Sequence, residues 1–331
     1  AYASLKYLFL GTVGASLYLI GVGYVFLATG SLNMIDLQGA IASVGYTDPL
    51  VQASYAFIVA GLALKIALFP VHSWQPDAYQ RAPDAVTALV AALVSTTAAY
   101  ALIRITYTVF TVEFLAANEA ITTGLLLVAS VSIVAGSALA AMQSDLKRML
   151  AYSSVAQFGI IVAAVALANE TALLGAIVHL LGHGLLKFGL FLAVGLLGLG
   201  YGARTVGDLA SLAQRAPFTA GAYAVLGLAL VGIPPSVGFL GKWYVALGAV
   251  EGAGATGAAG PAGAAGYVVI GAIFLSTLFT LAYVARLLEA LYFAGAGEAG
   301  EPGRTPADSP ETASTATDGG RERPLAPLGL S

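Results

Sequence analysis

The sequence predicts an all-α polytopic membrane protein of about eight transmembrane helices, two of them broken. Three observations carry that class. Composition is 59% hydrophobic and only 9% charged, where a soluble domain carries about 25% charged residues. Mean hydropathy is +0.87, and apolar runs recur at lengths near the roughly 20 residues that cross a bilayer at about 1.5 Å per residue. Inside those runs ionisable side chains are rare, and where they occur they fall at helical spacing. The absence of cysteine excludes thiolate-held iron-sulfur clusters, disulfides and Cys-based zinc sites. The formal net charge of -3 comes largely from an acidic tail. No cofactor, metal or nucleic-acid partner is expected; the lipid bilayer is the first partner.

Taken in order, residues 5–29 form the first span, too long for the 7–15-residue apolar region of a signal peptide and with no clear cleavage site. Residues 30–50 are polar and are read as holding a short surface helix. Further spans are expected at 51–70, 85–110, 121–142, 146–167, 172–199, 218–250 and 267–293. Three stretches are expected to be irregular: Phe69-Pro70 with Pro76 and Pro83, Gly232-Ile-Pro234-Pro235, and Gly182/Gly184. Proline removes an amide donor and clashes with the preceding turn, and a freed backbone group within a membrane must be met by protein or water. Broken helices therefore point to a transport path. The Gly-Ala-rich residues 251–266 read as a flexible external connection, since no Lys-Ser/Thr follows to make a phosphate loop. Residues 294–331 turn to Gly, Pro, Ser, Thr and Glu, the composition of a disordered tail.

The basic residues orient the chain. Lys6, Arg81, Lys147, Arg148, Arg204, Arg215 and the tail arginines Arg304, Arg321 and Arg323 fall on alternate loops, while residues 30–50, 111–119, 169–171 and 251–266 hold no Lys or Arg. The positive-inside rule places the first set, and the tail, in the cytoplasm of a cell-membrane protein. Arg104 is the exception, a snorkelling residue or a member of an internal chain.

The chemistry concentrates in His179-Leu-Leu-Gly-His183-Gly-Leu-Leu-Lys187. Steps of four put the three ionisable groups on one side of a helix, and intramembrane ionisable groups mark ion or proton paths. The bland alternative is a histidine bonding a neighbouring carbonyl. Lys65, five residues before Pro70, and Lys242, after the second break, extend the set, although Lys242 also reads as an interfacial anchor. A Lys out of water exchanges its proton readily. Two such groups about 15 Å apart at an effective dielectric of about 10 interact by about 2 kcal/mol, enough for charging one to discharge the next. His72, Asp145, Lys147 and Thr96 are supporting candidates; Asp145 reads equally as a helix cap. No Asp or Glu sits in the middle of a span, so the chain is expected to carry protons and to leave sodium to other chains.

Four ordered stretches, Lys65-Ile-Ala-Leu-Phe-Pro-Val-His72-Ser-Trp-Gln-Pro-Asp77, Asp145-Leu-Lys-Arg-Met-Leu-Ala-Tyr-Ser-Ser154, the His179 to Lys187 run and Gly232-Ile-Pro-Pro-Ser-Val-Gly-Phe-Leu-Gly-Lys242-Trp, resemble the antiporter-like membrane subunits. That family includes the antiporter-like subunits of the Mrp-type multisubunit sodium/proton antiporters and the proton-pumping membrane subunits of respiratory complex I. The resemblance runs over residues 5–293 and implies a fourteen-helix fold with two inverted five-helix repeats, of which residues 1–293 would be helices six to thirteen. It further implies that Lys65 is the central lysine of a first half-channel, Lys187 that of a second with His179 and His183 beside it, and Lys242 the terminal proton site. The family's acidic residue on helix five has no counterpart in this sequence, which implies a fragment or a split subunit; a start at Ala1 instead of Met favours a fragment. The family's eighth helix often bears Lys or His where this chain has Thr96, so the first relay would run through Ser95, Thr96 and water. Leu32-Asn-Met-Ile-Asp36 and Trp74-Gln-Pro-Asp-Ala-Tyr79 lean toward the Mrp type.

The leading expectation is thus a proton-translocating subunit of a multisubunit sodium/proton antiporter, partnered by the other subunits of that complex. The second is the same module within a redox-driven NADH:quinone or related oxidoreductase. A third, a haem-carrying anchor with His72 and His179 or His183 as axial ligands, leaves Lys65 and Lys187 without purpose.

Overall fold

The computed structural model describes residues 2–256 and 261–293. The chain begins with α1 (Tyr2–Thr29), an apolar helix whose exposed Leu5, Leu8, Phe9, Leu19 and Leu27 form a lipid-facing surface. Asn33 caps the short α2 (Met34–Val44) by accepting from Ile35 N. Asp48 then opens α3 (Pro49–Lys65), accepting from Leu50 N and Val51 N with Pro49 in the first turn, where its missing amide is no loss.

After a non-helical stretch comes α4 (Trp74–Arg81), then a nearly continuous rod made of α5 (Asp84–Leu89), a π-helical turn (Val90–Val94), α6 (Ser95–Ile105), a second π turn (Thr106–Phe110) and α7 (Thr111–Ala117). Residues 111–117, expected in a loop, therefore prolong the span. Next are α8 (Glu119–Ala141), α9 (Leu146–Ala166) and α10 (Glu170–Tyr201), followed by a 3₁₀ turn (Val206–Leu209), α11 (Leu212–Arg215), α12 (Pro217–Val231), α13 (Val237–Thr256) and α14 (Pro261–Tyr292). Among the described residues, six helical stretches are long and apolar enough to cross a membrane. Counting α3 with α4, and α12 with α13, as interrupted crossings recovers the eight expected spans.

Two expectations need correction. Gly182 and Gly184 do not loosen α10, which is continuous from Glu170 to Tyr201; both glycines instead admit neighbours, a Cβ at Gly182 falling 2.8 Å from Val237 and one at Gly184 3.2 Å from the Ala92 carbonyl. The connection expected at 251–266 is shorter, because α13 runs to Thr256 and α14 starts at Pro261. Alanine, the best helix former, outweighs the interspersed glycines there. The tail expected at 294–331 lies outside the described residues.

The breaks fall where the prolines stand. In the first, Ala67 takes a positive φ of 56° and the Phe69-Pro70 peptide is cis. The Trp74 indole donates to the Leu64 carbonyl at 2.8 Å, and Phe69 N donates at 3.2 Å to Ser132 Oγ, which itself donates to the Val155 carbonyl. Backbone groups released from the helix thus find partners on neighbouring helices, as burial in lipid demands. In the second, Gly232 ends α12 at φ 93° and Pro234-Pro235 is cis.

At the centre stands α9, 94% of whose apolar window is buried. It packs on α8 through glycine: a Cβ at Gly136 would meet Ala156 N at 2.5 Å, and one at Gly159 would meet Ile133 N at 2.9 Å. Helices in lipid gain from such close approach because apolar side chains alone give them little preference for one another over lipid.

Candidate functional site: a line of buried ionisable groups

The α10 helix turns its polar residues inward. His179, His183 and Lys187 are 4%, 3% and 0% exposed, while Leu181 and Leu185 on the opposite side are 63% and 73% exposed. The spacing of four expected from sequence therefore makes one buried stripe, held by an N-cap in which Asn169 accepts from Ala172 N and a C-cap at Gly202 in the left-handed conformation.

Each stripe residue meets a different helix or a different level of one. Lys187 Nζ donates to the Leu150 carbonyl at 2.8 Å and to Ser153 Oγ, both on α9. The His183 ring stands edge-on to Phe158, further along α9, at 4.6 Å. His179 lies against α13, where a Cβ on Gly241 would sit 2.7 Å from His179 Cβ and Nδ1. Both ring nitrogens of His179 and of His183 are buried without a hydrogen-bond partner among the described residues. Buried polar atoms are otherwise almost always satisfied, so these four are places where a water would be held.

Lys242, next in sequence to Gly241, is 6% exposed. Its ammonium donates to the carbonyls of Leu230 at 3.3 Å and Val231 at 2.8 Å. These are carbonyls at the broken end of α12, where the helix dipole is negative. Lys242 is thus an interior group and not an interfacial anchor.

Lys65 differs. It ends α3 and is only partly buried, with the Gly11 position of α1 over its ammonium, a Cβ there lying 3.7 Å from Nζ. No hydrogen bond or ion pair engages it among the described residues. His72, in the same break, stacks on Phe69 at 5.1 Å and tilts against Tyr152 at 5.9 Å. A polar chain runs from α4 into the rod: Gln75 Nε2 donates to Tyr79 OH at 3.1 Å, which shares a hydrogen bond with Ser95 Oγ at 3.2 Å. Thr96 faces α10 at Gly184, with its hydroxyl buried and unpartnered.

The basic residues of alternate loops converge on one end of the molecule. Asp77 pairs with Lys6 at 2.7 Å and Arg148 at 3.7 Å; Asp84 pairs with Lys147 and Arg204, each at 3.0 Å. Lys147 also donates to the Ala82 carbonyl. Asp145 caps α9 through Arg148 N and accepts from Gln80 Nε2 at 3.0 Å. Asp84, Asp145, Lys147, Arg204, Arg81 and Gln80 line an open cavity of about 540 Å³. Arg104 lies exposed on the outer face of α6, which fits snorkelling and not an internal chain.

Sequence reasoning passes over several groups. Asp84 ties α5 to α9 and to the Arg204 loop, Ser153 receives Lys187, and Arg286 donates to the Gln143 carbonyl. Tyr223, Ser276 and Tyr283 bury their hydroxyls in α12 and α14. The spacing of Ser276, Thr280 and Tyr283, polar positions at steps of four and three in an apolar run, is the signal that could have found them.

Residues 1–260 match the family model described as NADH:quinone oxidoreductase/Mrp antiporter, TM. NADH-quinone oxidoreductase subunit N of Desulforudis audaxviator is 41% identical over 92% of this chain and 58% of its own length. Subunit N of Thermobifida fusca is 34% identical over 89% of this chain and 52% of its own. The chain thus spans about half the length of the curated relatives it matches. Among solved structures, the Mrp complex from Dietzia sp. DQ12-45-1b superposes with a TM-score of 0.77 at 30% identity, covering 92% of this chain and 52% of the matched chain. The membrane-bound sulfane sulfur reductase, an archaeal respiratory membrane complex, gives 0.78 at 31% identity, covering 93% and 59%. With this fold and these buried residues, the chain belongs to the NADH:quinone oxidoreductase/Mrp antiporter transmembrane family.

Proposed function

We propose that this chain is the proton-carrying membrane part of a subunit N-like component of a redox-driven quinone oxidoreductase complex. The observation that carries the reading is the fully buried ammonium of Lys187, on a stripe whose histidines lead to the Lys242 end of α13. A charge in that setting costs several kcal/mol unless it is used or paired, and Lys187 has only a carbonyl and a hydroxyl. The names of the curated relatives favour the oxidoreductase over the Mrp-type antiporter toward which Leu32–Asp36 and Trp74–Tyr79 lean.

In this reading protons enter from the end rich in basic residues, the cytoplasmic end, through the cavity beside Asp145 and Lys147. They reach Lys187, pass His183 and His179 with waters held at their unpartnered nitrogens, and leave by Lys242. Lys65, with His72 and the hydroxyls of Ser95 and Thr96, serves a first half-channel. Electron transfer belongs to other subunits; this chain moves ions and catalyses no bond change. The tail, residues 294–331, is cytoplasmic in this orientation, and the whole is a multi-pass protein of the cell membrane.

Lys187→Arg keeps the charge and removes reversible deprotonation. In the assembled complex in inverted membrane vesicles, proton uptake driven by the electron donor is expected to vanish while the complex still assembles. Full uptake in that variant contradicts the role. The structural likeness to the Mrp complex supports a second reading, a proton-handling subunit of a sodium/proton antiporter in which other chains handle sodium. Iron-sulfur or flavin subunits that co-purify with the chain decide for the first reading; their absence from an intact, sodium-dependent complex decides for the second.

A further inference from the structure

The stripe accounts for the histidines but leaves a second set of buried polar groups unused. Beside the Lys187 anchor on α9, a small enclosed cavity is lined by Leu150, Leu190, Tyr223, Leu230, Tyr283 and Leu287. Two of its lining residues belong to the lysines on either side: Leu150 supplies the carbonyl that Lys187 engages, and Leu230 one that Lys242 engages. The walls are otherwise apolar, yet Tyr223 and Tyr283 are each about 2% exposed and have no well-formed hydrogen bond at their hydroxyls.

The Tyr283 hydroxyl lies beside Thr280 and Ser153, and Ser153 Oγ already accepts from Lys187. Tyr223 stands close enough to Tyr283 for their charges to interact. A buried phenol without a partner is costly, and two of them around one cavity share a single remedy. The cavity measures about 10 Å³, at the lower limit of the roughly 10–15 Å³ that one water needs, and such a water needs two or more polar partners. The two phenols and the nearby backbone carbonyls supply them.

We propose that Ser153, Tyr283, one water and Tyr223 form a hydroxyl relay joining Lys187 to Lys242 through α9, α14 and α12, separate from the histidine stripe. The inference rests on the reading of Lys187 and Lys242 as proton carriers. Each oxygen in the relay takes one proton on one side and releases its own on the other. The net step moves one proton from the Lys187 ammonium to a neutral Lys242 amine and leaves Ser153, the water and both tyrosines unchanged. Neither redox chemistry nor a co-reactant is required. The side chains are hydroxyls throughout, so the relay conducts without holding charge, whereas the histidines hold it.

Tyr223→Phe and Tyr283→Phe keep the rings that fill the core and remove only the hydroxyls. In the assembled complex in inverted vesicles, each is expected to slow proton uptake about 5- to 20-fold, with assembly and thermal stability near those of the parent. Each is also expected to change the ratio of uptake rates in H₂O and D₂O, which lost packing alone does not move. Wild-type uptake with an unchanged isotope ratio in both variants overturns the relay. Lys187→Arg, run alongside, separates the two claims: lost uptake there with normal tyrosine variants removes the relay and leaves the wider reading standing, while normal uptake in Lys187→Arg removes both. An ordered water between the two phenols, in a high-resolution structure of the complex, is the matching structural observation; an empty, dry cavity counts against it.

Discussion

Replacing Gly241 by alanine tests whether the α10/α13 contact sets the geometry of the buried line. The added Cβ would stand 2.7 Å from both Cβ and Nδ1 of His179 and 2.8 Å from its Cα, against an ordinary carbon separation of about 3.5–4.0 Å. The deficit is about 1 Å. Two of the three atoms are fixed to the α10 backbone, so a rotamer change of His179 does not relieve them, and the helices must part or slide by about that amount. Overpacking of a filled core costs about 1–3 kcal/mol, which at about 1.4 kcal/mol per decade is roughly a 5- to 150-fold shift in the folded population. The same displacement carries Lys242, one residue on, away from His179, and a misplacement of about 1 Å in a reacting geometry costs on the order of 100-fold in rate. The assays are the thermal unfolding midpoint of the purified complex and donor-driven proton uptake in vesicles. Gly271→Ala is the control, since a Cβ there meets nothing within 4 Å, and it should change neither. A Gly241→Ala complex with parental stability and parental uptake would refute the claim that this crossing is tight.

Other consequences follow from the polar end of the molecule. Asp84→Asn leaves Lys147, whose side chain is 6% exposed, with only the Ala82 carbonyl and frees Arg204. Breaking a buried pair costs about 3–5 kcal/mol; solvent at the half-exposed Arg204 reduces this, so a loss of about 2–3 kcal/mol in thermal or denaturant stability is expected, and none would show that the linkage is ornamental. Asp208 accepts from Arg204 N, Thr205 N and Thr205 Oγ1, and the backbone donors, Arg204 first, hold its carboxyl below the usual carboxylate range. A lowered folded value means stability present above the ordinary carboxylate pKa of about 4 and lost as pH falls through the folded value. Amide exchange of residues 204–209, corrected for intrinsic rates, should therefore quicken on acidification below about pH 4, and Asp208→Asn should abolish that dependence; an identical acid response in the variant would contradict it.

Much of this was legible in one dimension. Lipid imposes a length and an apolarity on every crossing, so span number, the two proline breaks and the inward stripe of His179, His183 and Lys187 could be read from hydropathy and a 3.6-residue period. Caps at Asn33, Asp48, Asp145 and Asn169 follow local chemistry too. The extension of the rod through residues 111–117 and the continuity of α10 through Gly182 and Gly184 were not legible, because a glycine admitting a neighbour and a glycine loosening a helix look the same in a string.

The sequence by itself determined that ionisable groups stand inside the membrane and on which helical face, since period and solvent act on each segment alone. Only the tertiary structure decided what each group meets. Lys187 is sealed against α9 while Lys65 stays partly open beside Gly11. Lys242 is drawn inward by the carbonyls at the broken end of α12, while its neighbour Gly241 lies against His179. Tyr223 and Tyr283 stand far apart in the chain, on α12 and α14, and the cavity they share exists only because those two helices meet beside α9. Contacts between helices depend on which faces meet in space, and no local pattern encodes that.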